Sequence, residues 1–141
     1  MAAIGLVQMK RYPSMLQRRK EIIEQYDAVL SKEGIEVLNH YDIDHRSSGH
    51  LYITRIPNIS LEQRQVIIEQ MAECGIATNV HYKPLPMMTA YKNLGFDIAN
   101  FPNAYARFAN EITLPLHTKL TSEEVEYIID NYIRIAKQFM Q

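Results

Sequence analysis

The sequence predicts an α+β domain: a small, mostly antiparallel sheet, covered by helices on one face and preceded by a long helix. Three observations carry this. Two Ser/Thr-x-x-Gln/Glu boxes, Ser60–Gln63 and Thr121–Glu124, each open an amphipathic helix. Runs rich in Ile, Val and Tyr at 35–41, 50–56 and 76–82 read as strands. The order is then helix, strand, strand, helix, strand, helices. With 141 residues, 47% of them hydrophobic, the chain is sized for one domain with a core of its own.

The first nine residues, "MAAIGLVQM", carry one polar side chain, Gln8. A helix apolar all round wants burial on every side, so this segment should dock against something. Pro13 is expected to interrupt it and Ser14 to cap a new helix. Leu16, Ile22, Ile23, Tyr26, Val29 and Leu30 then form an apolar stripe, with Gln17, Arg18, Arg19, Lys20 and Glu24 on the wet side. Gly34 ends that helix in the left-handed position. "IEVLNHY" and "HLYITRI" form two strands around the polar, turn-prone loop "DIDHRSSG".

The helix after Ser60 runs to about residue 74, with Leu61, Ile67, Ile68 and Met71 inward, and Gly75 closes it. "IATNVHY" is a third strand. Short helices follow at about 87–93 and 102–110, and "EITLPL" is a short extended piece. After Thr121 the last helix places Val125, Ile128, Ile129, Tyr132, Ile133, Ala136 and Phe139 at three- and four-residue steps.

Composition excludes several function classes. A net charge of −1 gives no footprint for nucleic acid and no basic face for an anionic membrane. No apolar run approaches the roughly 18 residues that span a bilayer, and a signal-peptide pattern is lacking. Cys74 is the only cysteine, which precludes an internal disulfide and suits a reducing cytoplasm. There is no Gly-Gly, no GxGxxG and no P-loop. None of the seven lysines sits in the small-residue, Gly-rich turn that usually presents an imine-forming amine.

Several groups of residues admit two readings. His40, Asp42, Asp44, His45 and His50 are metal-ligand types, but Asp and His also crowd wet turns, and no pair sits at a fixed helical step. Glu123, Glu124 and Glu126 resemble paired carboxylates, yet the first turn of a helix attracts negative charge for its own reason. Cys74 can be a nucleophile or simply packed. His117 either meets a ligand or merely precedes the capping Thr121. The stretch "ATNVHYKPLPMMTAY", 77–91, ranks highest. Its strand delivers His81 and Tyr82, and two prolines then hold Lys83 and the imidazole at a rim at low entropic cost. That combination suits an anionic, polar ligand such as a phosphorylated sugar; the plainer reading is a strand end with an exposed lysine.

Four segments in order resemble the DegT/DnrJ/EryC1/StrS family of pyridoxal-phosphate-dependent sugar aminotransferases. "AAIGLVQMKRYPSMLQRRKEIIEQYDAVL" is similar to the long helix that leaves the cofactor domain, and "SSGHLYITRI" to a small-domain strand motif. "GIATNVHYKPLP" resembles the "GI.T..HY.P" signature, and "LPLHTKLTSEEVEYII" a signature near the C-terminus. The resemblance implies the C-terminal, smaller domain of an aspartate-aminotransferase-type fold. Residues 1–30 would be an inter-domain helix and 35–141 the sheet-and-helix core, all within one domain, 1–141.

The imine-forming lysine, the ring partner and most phosphate contacts would lie upstream of residue 1, so no pyridoxal phosphate is expected on this chain alone. The chain is then expected to be a piece of a larger protein and inactive by itself. Its expected partners are the N-terminal cofactor domain, a second copy through the apolar opening helix, and a nucleotide-linked keto sugar aminated from glutamate or glutamine. His81, with Tyr82 and Lys83 beside it, is implied to face sugar or phosphate. Where many relatives carry a second His, this chain has Pro86. The competing reading is a stand-alone α+β ligand-binding or regulatory module.

Overall fold

A computed structural model describes residues 2–140. The opening helix, α1 (Ala2–Leu30), runs unbroken through Pro13. The expected interruption is absent because the ring removes one donor on a solvent-facing turn, where the freed Met9 carbonyl can be hydrated. The Ser14 hydroxyl donates back to the Arg11 carbonyl at 2.8 Å and caps nothing. Residues 2–14 are exposed, with Ile4, Leu6 and Met9 each more than 60% accessible. From Ile22 onward the same helix buries Ile22, Ile23, Tyr26 and Leu30. Its last turn tightens at 31–33, and Gly34 takes φ 77°, a conformation that costs glycine least.

The sheet is antiparallel, ordered β1 (Glu36–Val37), β2 (Tyr52–Arg55), β3 (Glu111–Leu114). The first strand is shorter than its sequence predicts. Beyond it the Asn39 side chain accepts from the Tyr41 amide and Asp42 from the Ile43 amide, local bonds that compete with a ladder. The expected strand at 76–82 shrinks to a single bridge, Asn79 with Thr113. Asn79 Oδ1 takes the Val80 amide at 2.8 Å, and the chain leaves the sheet edge. "EITL" instead supplies the third strand.

Both predicted capping boxes form, on α2 (Leu61–Glu73) and α5 (Ser122–Ala136). Between them lie two short helices, α3 (Thr89–Lys92) and α4 (Pro102–Ala109), and short 3₁₀ turns at 85–87 and 98–100. Along α2, Ile67 and Met71 are buried while Leu61 and Ile68 are half-buried.

Strand alternation sorts the sheet into two faces. Register pairs Tyr52 with Leu114 and Thr54 with Ile112 on one face. That face meets α1 and α5: Tyr52 stacks on Tyr26 with ring centroids 4.6 Å apart, and buried Tyr132 reaches Thr54. The other face carries Ile53, Arg55, Glu111 and Thr113.

The polar atoms of the core are mostly bonded. The Thr54 hydroxyl donates to the Ile112 carbonyl at 2.7 Å, which leaves Tyr132 as the donor in its 2.6 Å bond to Thr54. Tyr26 donates to the Pro115 carbonyl, and Tyr52 to Asp27 at 2.6 Å. Burial pushes all three phenols well above the ordinary tyrosine range. His40 stacks on Tyr52, its rings 9° from parallel, and burial pushes its imidazole below the usual range while Asp27 opposes the shift.

These directions give an unequal pair. Thr54→Val orphans the Tyr132 hydroxyl inside the core and should cost about 1–3 kcal/mol. Tyr132→Phe leaves Thr54 still bonded to Ile112 and should cost about 0.5–1.5 kcal/mol. Urea unfolding of the two variants measures the difference, and a larger loss from Tyr132→Phe would reverse the assigned donor.

Candidate functional site

The outer face of the sheet becomes a site because of what crosses it. After the Asn79–Thr113 bridge, the chain carries His81 over the outer side of β3. The His81 amide donates to Glu111 Oε1 at 2.8 Å, and the ring Nδ1 lies 2.9 Å from Thr113 Oγ1. The Thr113 hydroxyl in turn donates to the same Glu111 oxygen at 3.1 Å. Glu111 and Thr113 are about 95% buried, so His81 stands on a fixed base. The His81–Tyr82 peptide is cis, and the two rings meet edge to face at 4.8 Å.

His81 and Tyr82 line an open cleft of about 350 Å³ together with Ile53, Arg55, Arg107 and Glu111. Its floor is the outer face of β2 and β3, and its wall comes from α4. Arg55 is held on both sides. Its Nη1 pairs with Glu36 at 2.8 Å and its Nε donates to Asn110 Oδ1 at 3.1 Å. Beneath the wall, Arg64 lies 4.6 Å over the Phe108 ring and donates to the Phe108 carbonyl. Burial lowers the affinity of Arg64 for its proton, and the Glu111 carboxylate works against that loss.

The residues singled out in the sequence are thus placed unequally. His81 and Tyr82 share the cleft. Lys83 lines a neighbouring hollow with Arg64, Met87 and Phe108. His117 borders a separate apolar pocket with Pro115, Leu120 and Tyr127. His45 binds the Asn39 carbonyl within its own loop, and no three His, Cys, Asp or Glu side chains converge on a metal-sized site among the described residues. Glu123 and Glu124 sit in the first turn of α5, where Glu124 completes the capping box. Cys74, half-buried at the end of α2, accepts from Arg134 at 3.5 Å.

Sequence reading missed Glu111, Thr113, Arg55 and Arg107. A signal for the first two was present. In "EITL" the polar residues stand two apart, hence on one face of any strand, and opposite the apolar pair Ile112 and Leu114.

A long helix and a three-stranded antiparallel sheet packed with helices are shared by this chain and part of solved fold-type I aminotransferases. A solved Streptococcus pneumoniae protein assigned as a sugar aminotransferase is 57% identical in its apo form, with a TM-score of 0.95 over 98% of this chain and 35% of that one. The same protein has also been solved in a pyridoxal-phosphate form. The Helicobacter pylori aminotransferase PseC, involved in pseudoaminic acid biosynthesis, is 30% identical with a TM-score of 0.87, over 97% of this chain and 37% of that one.

The model of the DegT/DnrJ/EryC1/StrS aminotransferase family matches residues 1–132, and the chain belongs to that family. Among curated relatives, the H. pylori UDP-4-amino-4,6-dideoxy-N-acetyl-beta-L-altrosamine transaminase is 30% identical over 98% of this chain. The Bacillus subtilis spore coat polysaccharide biosynthesis protein SpsC is 29% identical over 96% of it. The chain spans 36% of the length of each of these two relatives. No described helix is long and apolar enough to cross a membrane.

Glu111 has two donors depending on it. Glu111→Ala strands the His81 amide and the Thr113 hydroxyl and should destabilise by about 1–3 kcal/mol. Glu111→Gln, which keeps an acceptor oxygen, should lose less. Chemical denaturation of both variants tests the order, and equal losses would show that charge, not acceptance, is what the site needs.

Proposed function

We propose that this chain supplies the smaller, substrate-facing lobe of a pyridoxal-phosphate-dependent aminotransferase acting on nucleotide-linked keto sugars, with glutamate or glutamine as amino donor. The observation that carries the reading is an open cleft of mixed lining, apolar at Leu38, Ile53 and Phe108, in which buried Glu111 and Thr113 steady His81. A sugar offers hydroxyls and carbonyls around a ring, and a cleft with an imidazole, a phenol and guanidinium groups suits such a ligand. His81 and Tyr82 contact the sugar, and Lys83, one hollow away, meets a more distal, anionic part.

Pyridoxal phosphate, when bound, supplies the electron sink of transamination. The chain's own lysines support placing its covalent site elsewhere: six of the seven are exposed, and Lys20 is half-buried beside Glu24. The coenzyme is therefore assigned to the part of the relatives that this chain does not match, and the chain alone is inactive. This chain's own contribution is to orient the sugar and exclude water from one side of it. The exposed apolar residues Ile4, Leu6, Val7 and Met9 fit a surface covered by that cofactor lobe or by a second copy.

Two measurements test this. A chimera in which the chain replaces the matching third of the S. pneumoniae protein should aminate a nucleotide-linked keto sugar, and His81→Ala in it should raise the KM for the sugar roughly tenfold. The chain by itself, mixed with pyridoxal phosphate and borohydride, should trap no stoichiometric adduct at one lysine. A folded chimera without turnover, or such an adduct, overturns the reading. Separately, sedimentation of the chain should show concentration-dependent association that Leu6→Glu or Val7→Glu reduces; a strict monomer at all concentrations contradicts the surface assignment.

A further inference from the structure

His81 lines the cleft, and its ring has two distinct nitrogens whose hydrogen-bond roles depend on the tautomer. Three observations meet at Thr113 Oγ1. It lies 3.1 Å from Glu111 Oε1 and 2.9 Å from His81 Nδ1, and it owns a single hydrogen. The same Glu111 oxygen accepts the His81 amide. Glu111 Oε1 is thus the acceptor at the centre of the cluster. The Thr113 hydrogen must therefore point at Glu111, because two oxygen lone pairs at that distance would otherwise repel. Its remaining lone pairs face His81, so Nδ1 is the donor to Thr113. The tautomer of a histidine is set by the bond its other nitrogen makes. In the neutral ring Nε2 is then bare, and it makes no hydrogen bond among the described residues.

We infer that Glu111 and Thr113 are positioning residues that lock neutral His81 in the Nδ1–H form, so that the cleft presents the Nε2 lone pair as an acceptor to a hydroxyl or ammonium group of the ligand. This deepens the function proposed above, since only the ligand's identity as a sugar rests on that reading. It also changes the chemistry expected at the rim. An acceptor selects a donor, so His81 reads a sugar hydroxyl or an amino group at the reacting end and not a phosphate oxygen. The phosphate would have to be met by cations elsewhere. Arg107, in the cleft wall, and Lys83, in the adjoining hollow, are two cations that line that region. The arrangement has a further chemical use. A bare Nε2 can take a proton from the group it binds, with Nδ1–H already aimed at the Thr113 oxygen beside Glu111.

Long-range nitrogen–proton NMR of the uniformly labelled chain at alkaline pH reads the tautomer directly, with the His81 signals assigned by their loss in His81→Gln. The expected pattern is a pyrrole-like Nδ1 and a pyridine-like Nε2. The opposite pattern in the unaltered chain overturns the inference without any variant. Thr113→Val, which keeps the shape and deletes the relay oxygen, should invert or average the two signals, and Thr113→Ser should restore them. If Thr113→Val does not fold, Thr113→Ala carries the same reading. A locked Nδ1–H ring in a folded variant that lacks the hydroxyl removes Thr113 and Glu111 from the assignment. A purely structural role for the pair predicts a stability loss with the tautomer unmoved, so the spectrum separates the two. An inactive chimera would sink the proposed function and leave the tautomer standing; an Nε2–H ring in the chain would do the reverse.

Discussion

The register of β3 against β2 is the constraint on which the rest of this structure depends. A strand repeats every two residues, so a slip of one would exchange the two faces completely. In the observed register Ile112 and Leu114 enter the core opposite Thr54 and Tyr52, while Glu111 and Thr113 lie on the outer face opposite Arg55 and Ile53. One choice therefore sets both the hydrophobic interior and the polar floor of the site. The bonds that pin it come from both sides. Within the core, Thr54 grips the Ile112 carbonyl and is gripped by Tyr132; on the outside, Asn79 brackets Thr113 with two backbone bonds.

The hydroxyl-bearing residues deserve their place in a core this small. Three large tyrosines fill much of the volume between α1, α5 and the sheet, and each ends in a bonded hydroxyl. A phenol offers more buried area than a leucine, and its polar tip adds direction that an aliphatic side chain lacks. Tyr26 reaches the Pro115 carbonyl just past β3, and so ties the long helix to the strand that carries the site. The same strand thus receives support from α1 through Pro115 and from α5 through Thr54.

Much of this was legible in the sequence, and the misses have physical causes. The two capping boxes, the Gly34 terminus and the stripes of α1 and α5 are local, and local chemistry decided them. Pro13 does not end the helix because it lies on an exposed turn, where solvent can take the freed carbonyl. The strand at 76–82 was misjudged because its composition is strand-like while Asn79 satisfies its neighbour locally. Half of the site could be named from "HYK"; the other half, Glu111 and Thr113, is 30 residues away and belongs to it only through tertiary pairing. That step depends on which strand ends up at the sheet edge, and periodicity does not report it.

The projecting part of α1 has a calorimetric consequence. Residues 2–14 remove less apolar surface from water than the residues after them, which anchor the core. Heat-capacity and denaturant-slope increments scale with surface newly wetted on melting. Scanned alone, the polypeptide would therefore register as a shorter body than its residue count implies. The deficit would vanish once a neighbour blanketed that spur, giving a thermodynamic ruler for whatever sits upon it.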